Sequence, residues 1–288
     1  MPQSKPIPRR TYRPGVELSV LGFGAIVVMG HPQAEADRIV AEAVERGVNY
    51  FDAAPTYGAG EAETKLGVAL QPFRKNVFLA CKTGQADASK AEQSFRESCA
   101  RLQTDYFDLF QFHGVSSLDE AKKFLAPDGA GELFLRLQRQ GLARHLGFSA
   151  HSAEAALFLM DHFPFDSVLF PVNFVMWQEG HFGPQILAKA REKNVARLAL
   201  KALCLHPWPA GVEKTYPKCW YQPIEDPDLQ RLALRFTLSE DVTAAIPPGD
   251  IRLWRPAMDL AADFAPLTPA ERESLLASAH GHAALFSA

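Results

Sequence analysis

The chain has 288 residues, 47% of them hydrophobic and 22% charged, with a formal charge of −3. That balance suits a folded chain with a sizeable core and excludes the basic excess expected of a nucleic-acid-binding protein. Four cysteines, Cys81, Cys99, Cys204 and Cys219, stand far apart with no CxxC pair, which fits a reducing compartment and makes the cytoplasm the expected location.

Residues 1–13, rich in Pro and Arg, read as a flexible tail. No apolar h-region follows, so neither a secretory signal nor a membrane segment is expected. Residues 11–20 place two short runs on either side of Pro14 and Gly15 and predict a hairpin capping one end of the fold. A strand at 23–28 and a helix at 34–46 come next, then a strand at 48–52. Strands at 77–82, 107–113, 143–148, 167–170, 195–200 and 242–246 follow. Helices at 88–103, 132–140, 153–162, 184–193, 228–238 and 251–264 alternate with them. The strands are apolar on both faces, as buried parallel strands are. About eight strand–helix units predict an α/β chain folded as one (β/α)8 TIM barrel over residues 1–288. Residues 204–226, after the seventh strand, carry Trp208, Trp220, Tyr221 and several prolines. A connection that long is expected to be functional. Thr268 and Pro269 open an extra C-terminal helix over 268–284.

Barrel enzymes carry their reactive groups at the C-terminal ends of the strands. Here Asp52 ends the second predicted strand, Lys82 the third and His113 the fourth, with Tyr57 in the loop after Asp52. These four side chains are expected to converge on one rim. An ammonium beside a phenol favours the phenolate, so Lys82 is expected to lower the pKa of Tyr57, with Asp52 holding the lysine charged. Tyr57 then serves as proton donor to a carbonyl oxygen, His113 hydrogen-bonds the same oxygen, and a hydride arriving at the carbon completes a reduction. A Schiff-base role for Lys82 is disfavoured, because Asp52 keeps its amine protonated.

The segment FDAAPTYG, the Lys of FLACKTG and the His of LFQFHG resemble, in order and spacing, the pattern of the aldo-keto reductase family. SVLGFGA is similar to that family's first strand, LQRQGLARHLGFSAH to its fifth-strand signature, and AAIPPGD to its eighth strand and phosphate loop. The resemblance runs over roughly residues 15–265. It implies a barrel, a nicotinamide cofactor (NADPH, with NADH as the alternative) extended across the rim, and reduction of aldehydes or ketones. Tyr57 would be the acid, Asp52 and Lys82 would tune it, and His113 would orient the substrate. Because the family includes potassium-channel β subunits, the resemblance also admits a cofactor-binding regulatory or sensor protein with little turnover.

Gly24 belongs to a GxG fragment, and residues 246–250 follow the last predicted strand and open a helix. Pro247 and Gly249 are expected to bring backbone close to a cofactor phosphate, in the loops where barrels bind phosphate. Arg252 and Arg255 are expected at an adenosine 2′-phosphate, favouring NADP, while Asp250 stands against an anion there. The family's Ser–Asn pair for the carboxamide reads Ser149 and Ala150, its Gln reads Pro171 with Asn173 two residues on, and its stacking Tyr reads Leu200 and Lys201. Asn173 and Lys201 are therefore expected in replacement roles. Trp177, Trp208 and Trp220 are expected to line the pocket of a small-molecule carbonyl substrate. No metal is expected, since the nine histidines show no HxxxH spacing. No nucleic-acid or membrane partner is expected, and the sequence sets no oligomeric state.

Overall fold

A hairpin opens the fold. β1 (Arg9–Arg13) pairs antiparallel with β2 (Val16–Ser19) through a turn in which Gly15 takes φ +79. The computed structural model describes residues 5–288. Of the expected tail, residues 1–4 lie outside the described residues, and Arg9–Arg13 is a strand instead. The reason is Tyr12, which is only 4% exposed and packs with Leu18 beneath the barrel against Phe78, Leu109 and Leu198.

Eight further strands lie side by side and parallel: β3 (Phe23–Gly24), β4 (Tyr50–Asp52), β5 (Phe78–Thr83), β6 (Phe107–Val115), β7 (Ala143–Ala150), β8 (Ser167–Pro171), β9 (Ala196–Leu200) and, after an interruption, β12 (Ala244–Ile246). The interruption is an antiparallel pair, β10 (Cys204–Pro207) with β11 (Tyr221–Pro223). The sheet closes on itself where Gly22 N donates to Ala245 O and Ala245 N donates to Val20 O, each at 2.9 Å. The architecture is thus the expected (β/α)8 barrel. The helices are α1 (Gln33–Glu45), α2 (Glu61–Leu70), α3 (Ala88–Leu102), α4 (Leu118–Phe124), α5 (Ala130–Arg139), α6 (Ala153–His162), α7 (Phe174–Gln178), α8 (Pro184–Glu192), α9 (Pro227–Ser239), α10 (Ile251–Ala262) and α11 (Pro269–Ala277). None of the described helices is long and apolar enough to cross a membrane.

Three elements differ from expectation. The first barrel strand stops at Gly24, and residues 25–28 form a 3-10 turn with Ala25, Val27 and Val28 buried. A short apolar run does not separate a strand from a buried helical turn. The stretch at 204–226 holds the β10–β11 pair, which its prolines concealed. The last helix ends at Ala277, although the capping box of Thr268 with Glu271 starts it as predicted. Helices α2, α4 and α7 were also not anticipated; α4 and α7 have only 7 and 5 residues, too few to show a helical period.

Strand alternation sorts the barrel interior into layers. Tyr50, Phe78, Ala80 and Leu109 form an apolar floor with residues of β8, β9 and β12. Two or four residues further along the same faces stand Asp52, Lys82, Gln111 and His113. The inward parity that buries the floor therefore also delivers the polar groups to the open end.

Outside the barrel, α2 approaches α3 closely at Gly67. A Cβ there would lie 2.4 Å from Arg101 O and 2.7 Å from Leu102 Cα. Alanine is the better helix former by about 1 kcal/mol, but overpacking against backbone costs about 1–3 kcal/mol. Gly67→Ala is therefore expected to lower the melting temperature; an unchanged or higher value would mean that the two helices separate freely.

Candidate active site

Parallel pairing sets the reactive residues beside one another. Asp52 on β4 is in register with Ala80 on β5, and Lys82 on β5 with Gln111 on β6. Tyr57 is held by an abrupt turn after β4, with Gly58 at φ +61, Ala59 at φ +52 and Gly60 at φ +94. Gly58 is favoured there by its positive φ, while the Met29 Cε that a Cβ would meet at 2.8 Å ends a flexible side chain that can move aside. Ala59, a non-glycine residue in the left-handed region, carries strain that the surrounding packing must hold.

Lys82 is 1% exposed, and its ammonium forms an ion pair with Asp52. It also donates to Ala53 O at 3.2 Å and to the Tyr57 hydroxyl at 3.4 Å. The second oxygen of Asp52 accepts from Gln111 Nε2 at 3.2 Å and from the Tyr50 hydroxyl at 3.4 Å. The His113 ring stands edge-on to Tyr57 with centroids 5.8 Å apart. All four expected residues thus meet on one rim.

Their electrostatics differ from expectation at Tyr57. Burial raises the phenol, Lys82 opposes this without cancelling it, and Asp52 adds to the rise, so the pKa stands above that of a free tyrosine rather than below it. Burial would lower Lys82, but Asp52 and Tyr57 outweigh it and hold the ammonium above the ordinary lysine range. Burial, then Lys82, His151 and Lys201, bring His113 down to about 3. At neutral pH the site therefore presents a phenol, an ammonium and a neutral imidazole. A protonated phenol is the form that an acid needs.

These residues open into a cleft of about 260 Å³ that runs past Ser149, Lys201 and Trp220 to Pro247 and Gly249. Gly249 fits because a Cβ there would strike Ile26 at 2.3 Å. Ser149 accepts from Gly114 N at 2.7 Å. The remaining expected residues lie elsewhere. Gly24 packs under Ile246, which a Cβ would meet at 3.2 Å. Asn173 is fully buried as the N-cap of α7, accepting from Val175 N and Met176 N and donating to Cys204 O at 2.7 Å. Its polar atoms are spent on backbone, so it cannot replace a carboxamide ligand. Arg252 is paired with Asp250 at 2.9 Å and Arg255 with Glu42 at 2.9 Å, both outside the cleft lining. Trp177 packs on Phe236 under α9, and Trp208 donates to Cys219 O at 2.8 Å; neither lines the cleft.

Two basic lining residues were not expected from the sequence. His151 follows Ser149 by two residues in GFSAHS and accepts or donates at 3.2 Å to Lys201 Nζ. The half-buried Lys218, from the stretch between β10 and β11, donates to Val27 O at 3.0 Å and lines the same cleft as Gly249. The GFSAHS motif offered a cue for His151. Lys218 had none, since a lysine in a loop usually faces solvent.

Comparison with known proteins agrees with this geometry. The sequence profile of the Aldo/keto reductase family matches residues 20–204. The uncharacterized oxidoreductase YqkF of Bacillus subtilis is 33% identical over 147 residues, 47% of this chain and 46% of its own. The L-galactose dehydrogenase of Arabidopsis thaliana is 32% identical over 166 residues, 52% of this chain and 50% of its own. The matched part thus spans about half the length of these curated relatives. The holo form of an aldo-keto reductase from Bacillus halodurans superposes with a TM-score of 0.74 at 24% identity, covering 96% of this chain and 98% of that one. An aldo-keto reductase from Klebsiella pneumoniae in complex with NADPH gives 0.69 at 18% identity, covering 90% of each chain. At such identity the structural likeness is one of fold, and the family rests on the profile. Over a barrel with Asp52, Tyr57, Lys82 and His113 on one rim, that match means the chain belongs to the aldo-keto reductase family.

Proposed function

We propose that the chain is an NADPH-dependent reductase that converts an aldehyde or ketone to an alcohol. The observation that carries this reading is the Tyr57 hydroxyl 3.4 Å from the buried Lys82 ammonium, at the head of a cleft that also exposes His113. When bound, the nicotinamide cofactor supplies the hydride. Tyr57 donates its proton to the substrate oxygen, and the phenolate left behind is stabilised by Lys82, itself fixed by Asp52. The neutral His113 has one N–H to offer the same oxygen and so orients the carbonyl. Ser149 and Leu200 flank the cleft beside these groups, and Pro247 with Gly249 continues it towards Lys218. The start of α10 is capped by Asp250, which accepts from Arg252 N. Lys218, free of any carboxylate partner among the described residues, is thus the better cation for a cofactor phosphate. The names of the relatives, an oxidoreductase and a dehydrogenase, support turnover over a sensor role. All four cysteines are free, which supports a cytoplasmic location.

Fluorescence titration with NADPH and NADH, followed by cofactor oxidation in the presence of aldehydes, tests the reading; absence of binding to either would refute it. Arg255 is paired only with the partly exposed Glu42, whereas Arg252 is held by the buried Asp250, by Thr215 O at 2.9 Å and over the Tyr216 ring at 4.3 Å, so Arg255 is the freer of the two to turn to a 2′-phosphate. Replacing both with Ala is expected to weaken NADPH by roughly 10- to 150-fold, in line with about 1.5–3 kcal/mol for a charge-assisted hydrogen bond, and NADH by less. Equal losses for both would remove the arginines from the 2′-phosphate.

A further inference from the structure

The cleft has a second cationic centre that proton donation by Tyr57 does not use. Lys201 follows β9 at φ +65, and this left-handed turn directs its side chain into the cleft. It is 7% exposed. Its Nζ has no carboxylate partner among the described residues. Its neighbours are His151 Nε2 at 3.2 Å, the Trp220 ring at 5.1 Å and the Phe286 ring at 5.5 Å. Phe286 in turn stacks on His151, with centroids 4.4 Å apart and planes within 8°. Asp52 is the only carboxylate among the described lining residues, and Lys82 already holds it. A buried ammonium without a counter-ion is costly, and the cost is relieved when a ligand brings the missing charge.

We infer that Lys201, with His151 beside it, receives a carboxylate carried by the substrate, so that the carbonyl compound taken by this cleft is an oxo acid. One buried cation between two aromatic faces matches a flat singly charged group better than a phosphate with two charges. The inference rests on the reductase reading for the word substrate, but the anion site itself does not depend on turnover. It also moves Lys201 from the nicotinamide, where the sequence placed it, to the substrate.

Two measurements separate these claims. The first compares 4-formylbenzoate with its neutral isostere 4-formylbenzamide as substrates with NADPH. The wild-type chain is expected to favour the carboxylate by at least about tenfold in kcat/KM. Lys201→Met is expected to abolish that preference, chiefly through KM, and Lys201→Arg to retain part of it. A wild-type preference for the neutral aldehyde, a parallel fall for both aldehydes in Lys201→Met, or a matching loss of NADPH affinity would overturn the assignment.

The second follows benzoate and benzamide binding by tryptophan fluorescence, with Trp220 as the reporter nearest Lys201. Benzoate is expected to bind the wild-type chain and not Lys201→Met, and benzamide neither. If both aldehydes go unreduced while benzoate still binds through Lys201, the reductase reading fails and the anion site stands. If benzoate binds both chains equally, the anion site fails whatever the turnover.

Burial, with the Lys82 charge adding to it against Cys204, brings the Lys201 ammonium down to about 7. Benzoate affinity is therefore expected to fall as pH rises from 6 to 9, because the amine must then take up a proton to bind the anion. Of the groups facing it, His113 and His151 are already neutral at about 3, Cys204 and Cys219 stand at about 12, and Lys82 and Tyr57 are raised. Lys218 is lowered, chiefly by burial, so the slope must vanish in Lys201→Met to be assigned to Lys201. A slope that persists in that variant counts against the inference.

Discussion

Tyr57→Phe is expected to lose carbonyl reduction by a factor of about 10²–10⁴, the range that a positioned general acid contributes, while folding and NADPH affinity persist. The change deletes one oxygen and leaves the ring against His113, so packing is conserved. What disappears is the proton for the substrate oxygen and the seat of the negative charge it leaves. His113 cannot take over, because at about 3 its imidazole is neutral through the working pH range and is too weak an acid to protonate an alkoxide efficiently. The pH profile of the wild-type chain follows from the same pair. Burial raises the phenol in the empty site, so turnover of a neutral aldehyde, which does not draw on the Lys201 charge, is expected to hold through neutral pH and to fall only on the alkaline side, as the proton is lost. A profile that falls at or below pH 7 would mean that the acid is another group. A Tyr57→Phe variant with wild-type kcat would remove Tyr57 from the chemistry altogether.

The sequence made some of this legible because the signals were periodic. Residues 52, 82 and 113 end runs whose inward faces alternate, so their convergence needs only strand parity and parallel order. The Tyr57 pKa was not legible in the same way: its sign depends on burial outweighing an ammonium 3.4 Å away, a balance of two opposing effects that no motif encodes. The cofactor and substrate residues were legible as residue types and not as partners. Asn173 looked available for a carboxamide, yet its amide is consumed in capping α7 and in holding the turn after β9. Arg252 and Arg255 looked free for phosphate, yet each rests on a carboxylate, one of them over two hundred residues away in sequence. Of the three tryptophans expected at the pocket, only Trp220 lines the cleft: Trp177 lies in α7 against Phe236, and Trp208, just after β10, donates to Cys219 O instead.

The second large effect concerns Lys82, where stability and activity are expected to separate. Lys82→Met removes the cation from a pair that is almost wholly buried, Asp52 being 2% exposed and Lys82 1%. Asp52 then keeps only Gln111 and Tyr50 as donors, at 3.2 and 3.4 Å. Removing one partner of a buried pair costs about 3–5 kcal/mol, because the remaining charge is uncompensated. At about 2–4 °C per kcal/mol for a chain near this size, the melting temperature should fall by roughly 6–20 °C. Asp52→Asn in the same chain removes that charge, so the double variant should recover most of the lost stability. It should not recover activity, since the ammonium that stabilises the Tyr57 phenolate is still missing. Kinetically, Tyr57→Phe with Lys82→Met should be little slower than Tyr57→Phe alone, because the two act on one proton and their effects do not add. A double variant at Asp52 and Lys82 as unstable as Lys82→Met alone would place the damage in packing rather than in the stranded carboxylate. Full additivity between Tyr57 and Lys82 would mean that the lysine serves the reaction by some route other than the phenol.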